Sequence, residues 1–336
     1  MTQFSVSCVV FESTKKLVYV AFPLGPITSS KDQPGLNQGD STSLRTRKSI
    51  FTALSQYALG LGPDSTHNSP KQVKIENLFF SKKMEEKEVI ALADKLFDEN
   101  KYIEVYELLN RQKFEKNIDI KWRIARSLFF VLDSEKMNDS IRQNIVEEAM
   151  DILNSSLAIA EDNPNIYKWL AIMTNYNSGI EGLESRIKTY PLVREHLQKA
   201  CDLNPNDFCV NYMLGKLCYE LANLSWLQKT IAKYFFEEPP KATYEEAYAY
   251  LVKAEELQPR CFIPNVYLLG ESCVKLKMFY RAKYYLTLVI NLSKEKGEQK
   301  YANKAKQIID KLEKYDLGKD VLFCNYLNGY GFTDDV

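Results

Sequence analysis

The stretch from Leu197 to Pro205 has a counterpart from Leu251 to Pro259. Each places a Leu eight residues before a Pro, an Ala five before it and a second Leu two before it. A Leu-Gly pair follows each Pro, at Leu214-Gly215 and Leu269-Gly270. An internal repeat of this kind calls for an array of similar units. The small residues mark where two helices approach closely. Each Pro ends a helix, because its ring cannot continue the hydrogen-bond ladder.

The rest of the chain fits that architecture from about Met84 onward. Val89, Leu92, Ala93 and Leu96 recur at helical spacing and form one apolar stripe. Further stripes start at Val105, Trp122, Ala149, Trp169 and Val193. Asn100-Lys101-Tyr102 and Asp133–Asp139 are the polar breaks. The Trp169 and Val193 stripes read as one helix pair. Tyr212–Leu224 with Tyr244–Leu257, and Asn265–Leu276 with Arg281–Leu292, read as two more. Gln299–Tyr315 is a charged last helix with the polar outer face that a cap needs. The fold predicted is all-α, a tetratricopeptide-like superhelix of helix pairs with a C-terminal capping helix. Such pairs repeat about every 34 residues. Two surpluses break that period, Asn177–Leu192 and Ser225–Pro240, and both fall inside a repeat, where they are expected to carry specificity.

The helical domain is expected over 84–316, with a loose tail over 317–336. Residues 1–80 read as largely disordered. Within them Phe4–Val10 and Leu17–Phe22 are β-rich runs that can pair as a hairpin. Residues 44–61 join a basic cluster to a short apolar stretch without acids. That segment can lie on an anionic membrane, address an organelle, or be plain linker. The stretch Glu76–Ser81, with Phe79-Phe80, resembles a paired-Phe recruitment motif for endoplasmic reticulum receptors, or simply starts the helical domain.

Composition excludes several functions. Lys+Arg and Asp+Glu both number 44, so the cationic excess of a general nucleic-acid binder is missing. No apolar run reaches transmembrane length. The seven cysteines include no CxxC pair, and the two histidines sit at no zinc-finger spacing, so reduced thiols and no metal or other cofactor are expected. His196 and Cys201, five apart in a helix, do not share a face. Gly60 and Gly62 lack the strand and the Gly-Lys-Ser of a phosphate loop. These points predict a chain that is not an enzyme.

In helix-pair arrays the first helix of each pair lines the inner groove. That geometry selects Arg123, Ser127, Phe130, Tyr167, Leu170, Thr174, Tyr212, Lys216, Tyr219, Tyr267 and Glu271. An aromatic groove with a few cations suits a peptide or a lipid. Arg123 and Arg126 can clamp a carboxylate or phosphate, or pair with acids of the next helix. The insertion Ser225–Glu238 is amphipathic, with Trp226, Phe235, Lys229 and Lys233 at helical spacing. It can close one wall of the groove or meet a membrane surface.

Several of these stretches resemble the regulator of microtubule dynamics family of tetratricopeptide-like proteins. They are Trp122-Arg123-Ile124-Ala125-Arg126, Lys168-Trp169, Ile187–Pro205, Ser225–Lys233, Pro239-Pro240 and Thr243–Ala247. The resemblance covers roughly Glu86 to Tyr315, and the Trp-to-Pro-Pro insertion is its most specific part. It implies a non-enzymatic adaptor that binds microtubules (tubulin) or another protein, in the cytoplasm or linked to mitochondria. A phospholipid-binding or lipid-transfer module at mitochondrial or endoplasmic reticulum membranes is the alternative.

Overall fold

The computed structural model describes residues 85–110, 116–134, 137–295 and 297–312, and the backbone at 9–10 and 17–18. The early features at 44–61 and 76–81, His67 and the tail after 312 lie outside the described residues. Two short strands, β1 (Val9–Val10) and β2 (Leu17–Val18), pair antiparallel, with Val9 opposite Val18 and Val10 opposite Leu17. Every other regular element described is helix. Contacts divide the chain into two compact units, with the helical part split in sequence between Gly182 and Leu183.

The first unit holds α1 (Glu86–Asp98), α2 (Tyr102–Leu109), α3 (Ile118–Ser134), α4 (Asp139–Leu157) and α5 (Pro164–Glu181). Asn100, at φ 59°, turns the chain between α1 and α2 at the break seen in the sequence. Asn138 Oδ1 accepts the Ile141 N–H at 2.8 Å and so caps α4. Asn163 caps α5, and Pro164 sits where its missing N–H costs nothing. Each helix packs on its sequence neighbour, and α3 also touches α1 and α5. The core is aromatic. Phe129 lies between Trp169 (5.8 Å) and Tyr176 (5.6 Å), and Phe130 meets Phe97 at 5.0 Å and Tyr102 at 5.1 Å.

The second unit holds α6 (Leu183–Leu203), α7 (Phe208–Ala222), α8 (Trp226–Phe235), α9 (Tyr244–Leu257), α10 (Ile263–Lys275), α11 (Phe279–Leu292) and α12 (Gln299–Leu312). α7 packs on α9 and α10 on α11, with α12 against α11 and α10. The insertion helix α8 is interposed between α7 and α9 in sequence and packs on α6. Reciprocal capping boxes start α8 and α9: Ser225 with Gln228 and Thr243 with Glu246 exchange side-chain and backbone bonds.

The duplicated motif explains these crossings. Leu197, Ala200, Leu251 and Ala254 are all buried. A Cβ on Gly215 of α7 would lie 2.6 Å from Leu251 Cγ of α9, and one on Gly270 of α10 would lie 2.7 Å from Leu286 Cγ of α11. Both Leu-Gly pairs therefore do the same job: they let a facing Leu fill the space a side chain would take. Gly215→Val is expected to destabilise by about 1–3 kcal/mol through overpacking. Urea denaturation checks this, and in a Leu251→Ala background the added cost should be largely absent.

One pairing differs from expectation. The Trp169 and Val193 stripes fall in separate units, α5 and α6, divided at Gly182, whose φ of 111° favours glycine. The surplus at Asn177–Leu192 is not a loop: it lengthens α5 to Glu181 and starts α6 at Leu183, so Pro191 stands inside a helix.

Candidate functional site

Most described charges are exposed and solvated, so buried charge singles out a site. One such group is on one face of the second unit. It begins on α7, where Lys216, Tyr219 and Glu220 fall three and four residues apart and so share a face. Lys216 Nζ lies 3.8 Å from Glu220 Oε1, and Arg186 of α6 donates from Nη2 to Glu220 Oε2 at 2.8 Å. On α10, the Tyr267 hydroxyl donates to Glu271 at 2.9 Å, and Tyr219 bonds the same carboxylate. The cap helix α12 completes the face. Tyr301 packs its ring 5.3 Å from that of Tyr267, and Lys300 Nζ sits 5.0 Å from the Tyr301 ring centre. The positive charge of Lys300 reaches Lys216, and those of Lys304 and Lys275 reach Glu271.

Burial sets the protonation chemistry. It pushes Lys216 down to about 7; the attraction of Glu220 opposes this, and the repulsion of Arg186 and Lys300 adds to it. Burial likewise raises Glu271, while its phenol bonds and Lys304 hold it back. Tyr219 and Tyr267 rise through burial and the adjacent Glu271 charge. Tyr190, near Glu220, is pushed up to about 12. The face thus holds phenols that stay protonated and a lysine whose charge burial disfavours.

The Lys216 shift has a definite sign in stability. Between about 7 and the ordinary 10.5, the unfolded chain keeps a proton that the folded chain has released, so stability rises with pH over that window. Lys216→Met should flatten that rise, and thermal melts over the pH range check it.

The other sequence candidates fall elsewhere. Tyr212 is buried with its ring 4.7 Å from Phe262, and Phe130 and Leu170 are core residues of the first unit. Ser127 is buried and donates to the Ile124 carbonyl, Thr174 is buried, and Tyr167 is half-buried. Arg123 and Arg126 both serve Asp94 of α1: Arg123 binds it through Nε and Nη2, and Arg126 Nη2 through a 2.6 Å bond. Their guanidinium groups stack over Trp122 at 4.1 Å and over Phe97 at 3.9 Å. On α8, Trp226, Lys229 and Lys233 are exposed, while Phe235 is half-buried under Lys188 Nζ at 4.1 Å. Sequence reasoning brought together Lys216, Tyr219, Tyr267 and Glu271. It missed Arg186, Glu220, Lys300, Tyr301 and Lys304. The last three had a signal, since Lys300 and Lys304 are four apart beside a tyrosine on the cap.

The helix pairs and their small-residue crossings place this protein in the tetratricopeptide-like all-α class. A family model described as regulator of microtubule dynamics protein 1-3 matches residues 89–313, and the chain belongs to that family. It is 33% identical over 221 residues to regulator of microtubule dynamics protein 1 of Mus musculus, covering 66% of this chain and 70% of that protein. It is 29% identical over 215 residues to protein 2 of Rattus norvegicus, covering 63% and 52%. The match to protein 3 of Xenopus laevis is 34% over 152 residues, covering 45% and 33%. Among solved structures, a thermophilic TPR protein of Thermus thermophilus aligns with a TM-score of 0.45 at 14% identity, over 66% of this chain and all of the other. YrrB, a TPR protein with an unusual peptide-binding site, aligns at 0.39 and 15%, over 68% and 97%. No described helix is long and apolar enough to cross a membrane.

Proposed function

We propose that the chain is a non-enzymatic adaptor that associates with microtubules through the face formed by α7, α10 and α12. The observation that carries this is the meeting of Lys216, Lys300 and Lys304 with the rings of Tyr219, Tyr267 and Tyr301. Half-buried Tyr301 offers apolar area with a hydroxyl, and Lys300 and Lys304 supply charge above the buried Lys216, Tyr219 and Tyr267, an edge that suits an extended acidic segment such as the tails of tubulin. Incoming carboxylates would engage lysines whose present acidic neighbours are Glu220 and Glu271. The family's name supports a microtubule partner. A cytoplasmic setting follows from that reading, and a mitochondrial association rests on the sequence resemblance alone.

The reactive groups support an adaptor rather than an enzyme. Burial pushes the Cys218 thiol up to about 11, so it is a poor nucleophile, and His196 is a half-buried residue whose protonation burial disfavours. The lipid alternative asked for a head group on Arg123 or Arg126, and both guanidinium groups already share Asp94. Cosedimentation of the purified chain with microtubules tests the proposal. Pelleting at low salt that fades toward physiological ionic strength is expected, because contacts between exposed charges are screened. No pelleting at low salt removes the proposal.

A further inference from the structure

The insertion helix α8 has two unlike faces. Ala232 is buried, and Gln228, Ile231 and Phe235 beside it are half-buried. The opposite face carries Trp226, 80% exposed, and Tyr234, 83% exposed, with Leu227 at 43%. Trp226, Thr230 and Tyr234 are four apart and stand in line. Lys229 and Lys233, both exposed, run along one flank of that line. Residues 226–235 contain no acid; Glu237 and Glu238 follow only after the helix has ended. Large apolar side chains left in water this way mark an interaction surface.

The geometry points to α8 as a docking helix for an anionic lipid surface. Three features select that occupant. The outer face joins Trp and Tyr, whose rings have an apolar body and a polar tip and settle at the boundary between head groups and acyl chains. Its only charges are positive, matching a surface of phosphatidylserine or similar lipids. The helix is short and lies on α6 through its other face, so it can rest in the interface without leaving the fold. This inference is independent of the α7, α10 and α12 face.

The chain carries its own probe. It has three tryptophans, and Trp122 and Trp169 are buried, so Trp226 supplies the quencher-accessible emission. The full chain is titrated with vesicles of phosphatidylcholine alone and with one part in three phosphatidylserine. The expected result is a blue shift of Trp226 emission and protection from iodide with the anionic vesicles only, reversed by salt. Lys229→Gln with Lys233→Gln should weaken binding about thirty-fold, since each lysine near such a surface contributes about 1 kcal/mol. Trp226→Phe should remove the spectral response while vesicles still pellet the chain. Residues 44–61, also basic and apolar, contain no tryptophan and do not mimic the signal. Vesicle binding with Trp226 still open to iodide would place the contact elsewhere and overturn the inference. So would absence of vesicle binding, or a shift that follows protein concentration without lipid and marks a second copy as the occupant.

Discussion

Trp169→Ala should be the most damaging single change in the first unit, costing about 3–5 kcal/mol. The side chain is fully buried at the meeting of α3 and α5, with Phe129 at 5.8 Å and Phe130 at 6.4 Å. Removing the indole leaves a void that the two close-packed phenylalanine rings cannot collapse to fill. Trp169→Phe keeps one ring in place and should lose less. Urea denaturation followed by far-ultraviolet circular dichroism checks both. An alanine variant as stable as the parent would mean that α5 does not depend on this contact.

Asp94→Ala should come close behind, at about 3–5 kcal/mol, for an electrostatic reason. Arg126 is 3% exposed and relies on the Asp94 carboxylate at 2.6 Å, while Arg123 binds the same group through two nitrogens. Without Asp94 the buried Arg126 guanidinium loses its largest counter-charge, with the weaker attraction of Asp98 remaining. Burial alone would raise the Asp94 carboxyl, but the two arginines outweigh it and hold it below its ordinary 3.8. A lowered folded value means the contribution is complete above the unfolded value and fades as pH falls through the folded one. The gap in melting temperature between parent and Asp94→Ala should therefore be full at neutral pH and narrow below about 4. Asp94→Asn, isosteric but uncharged, should resemble Ala rather than the parent.

Local signals in the sequence were enough for most of the scaffold. The Leu-Gly pairs named the two helix crossings because a missing Cβ has one geometric use there. Asn100 marked the turn after α1, and the Pro205 and Pro259 links follow α6 and α9, as the ring demands. What failed was whatever depended on distance along the chain. The surplus at Asn177–Leu192 broke the repeat period, and only the fold shows it as the end of α5 and the start of α6, with Pro191 inside the helix. Of the two readings of Arg123 and Arg126, the ion-paired one holds, but only the fold identifies the partner as Asp94, about thirty residues upstream. The Arg186–Glu220 pair joins residues 34 apart and no local pattern announces it. Tyr212 and Tyr219 look alike on a helical wheel, but the neighbour decides: Phe262 closes over one, and Glu271 hydrogen-bonds the other.

The partner-binding face is tested most directly by comparing two double charge reversals in microtubule cosedimentation at low salt. One is Lys300→Glu with Lys304→Glu, on the α12 edge of the face. The other is Lys199→Glu with Lys253→Glu, exposed positions on α6 and α9 that give the same net charge. The first pair should weaken binding about ten-fold or more, as two charge contacts become repulsions, and the second should leave it near the parent level. Equal loss in both would reduce the interaction to net charge, and binding untouched by the first pair would contradict the assignment of the site.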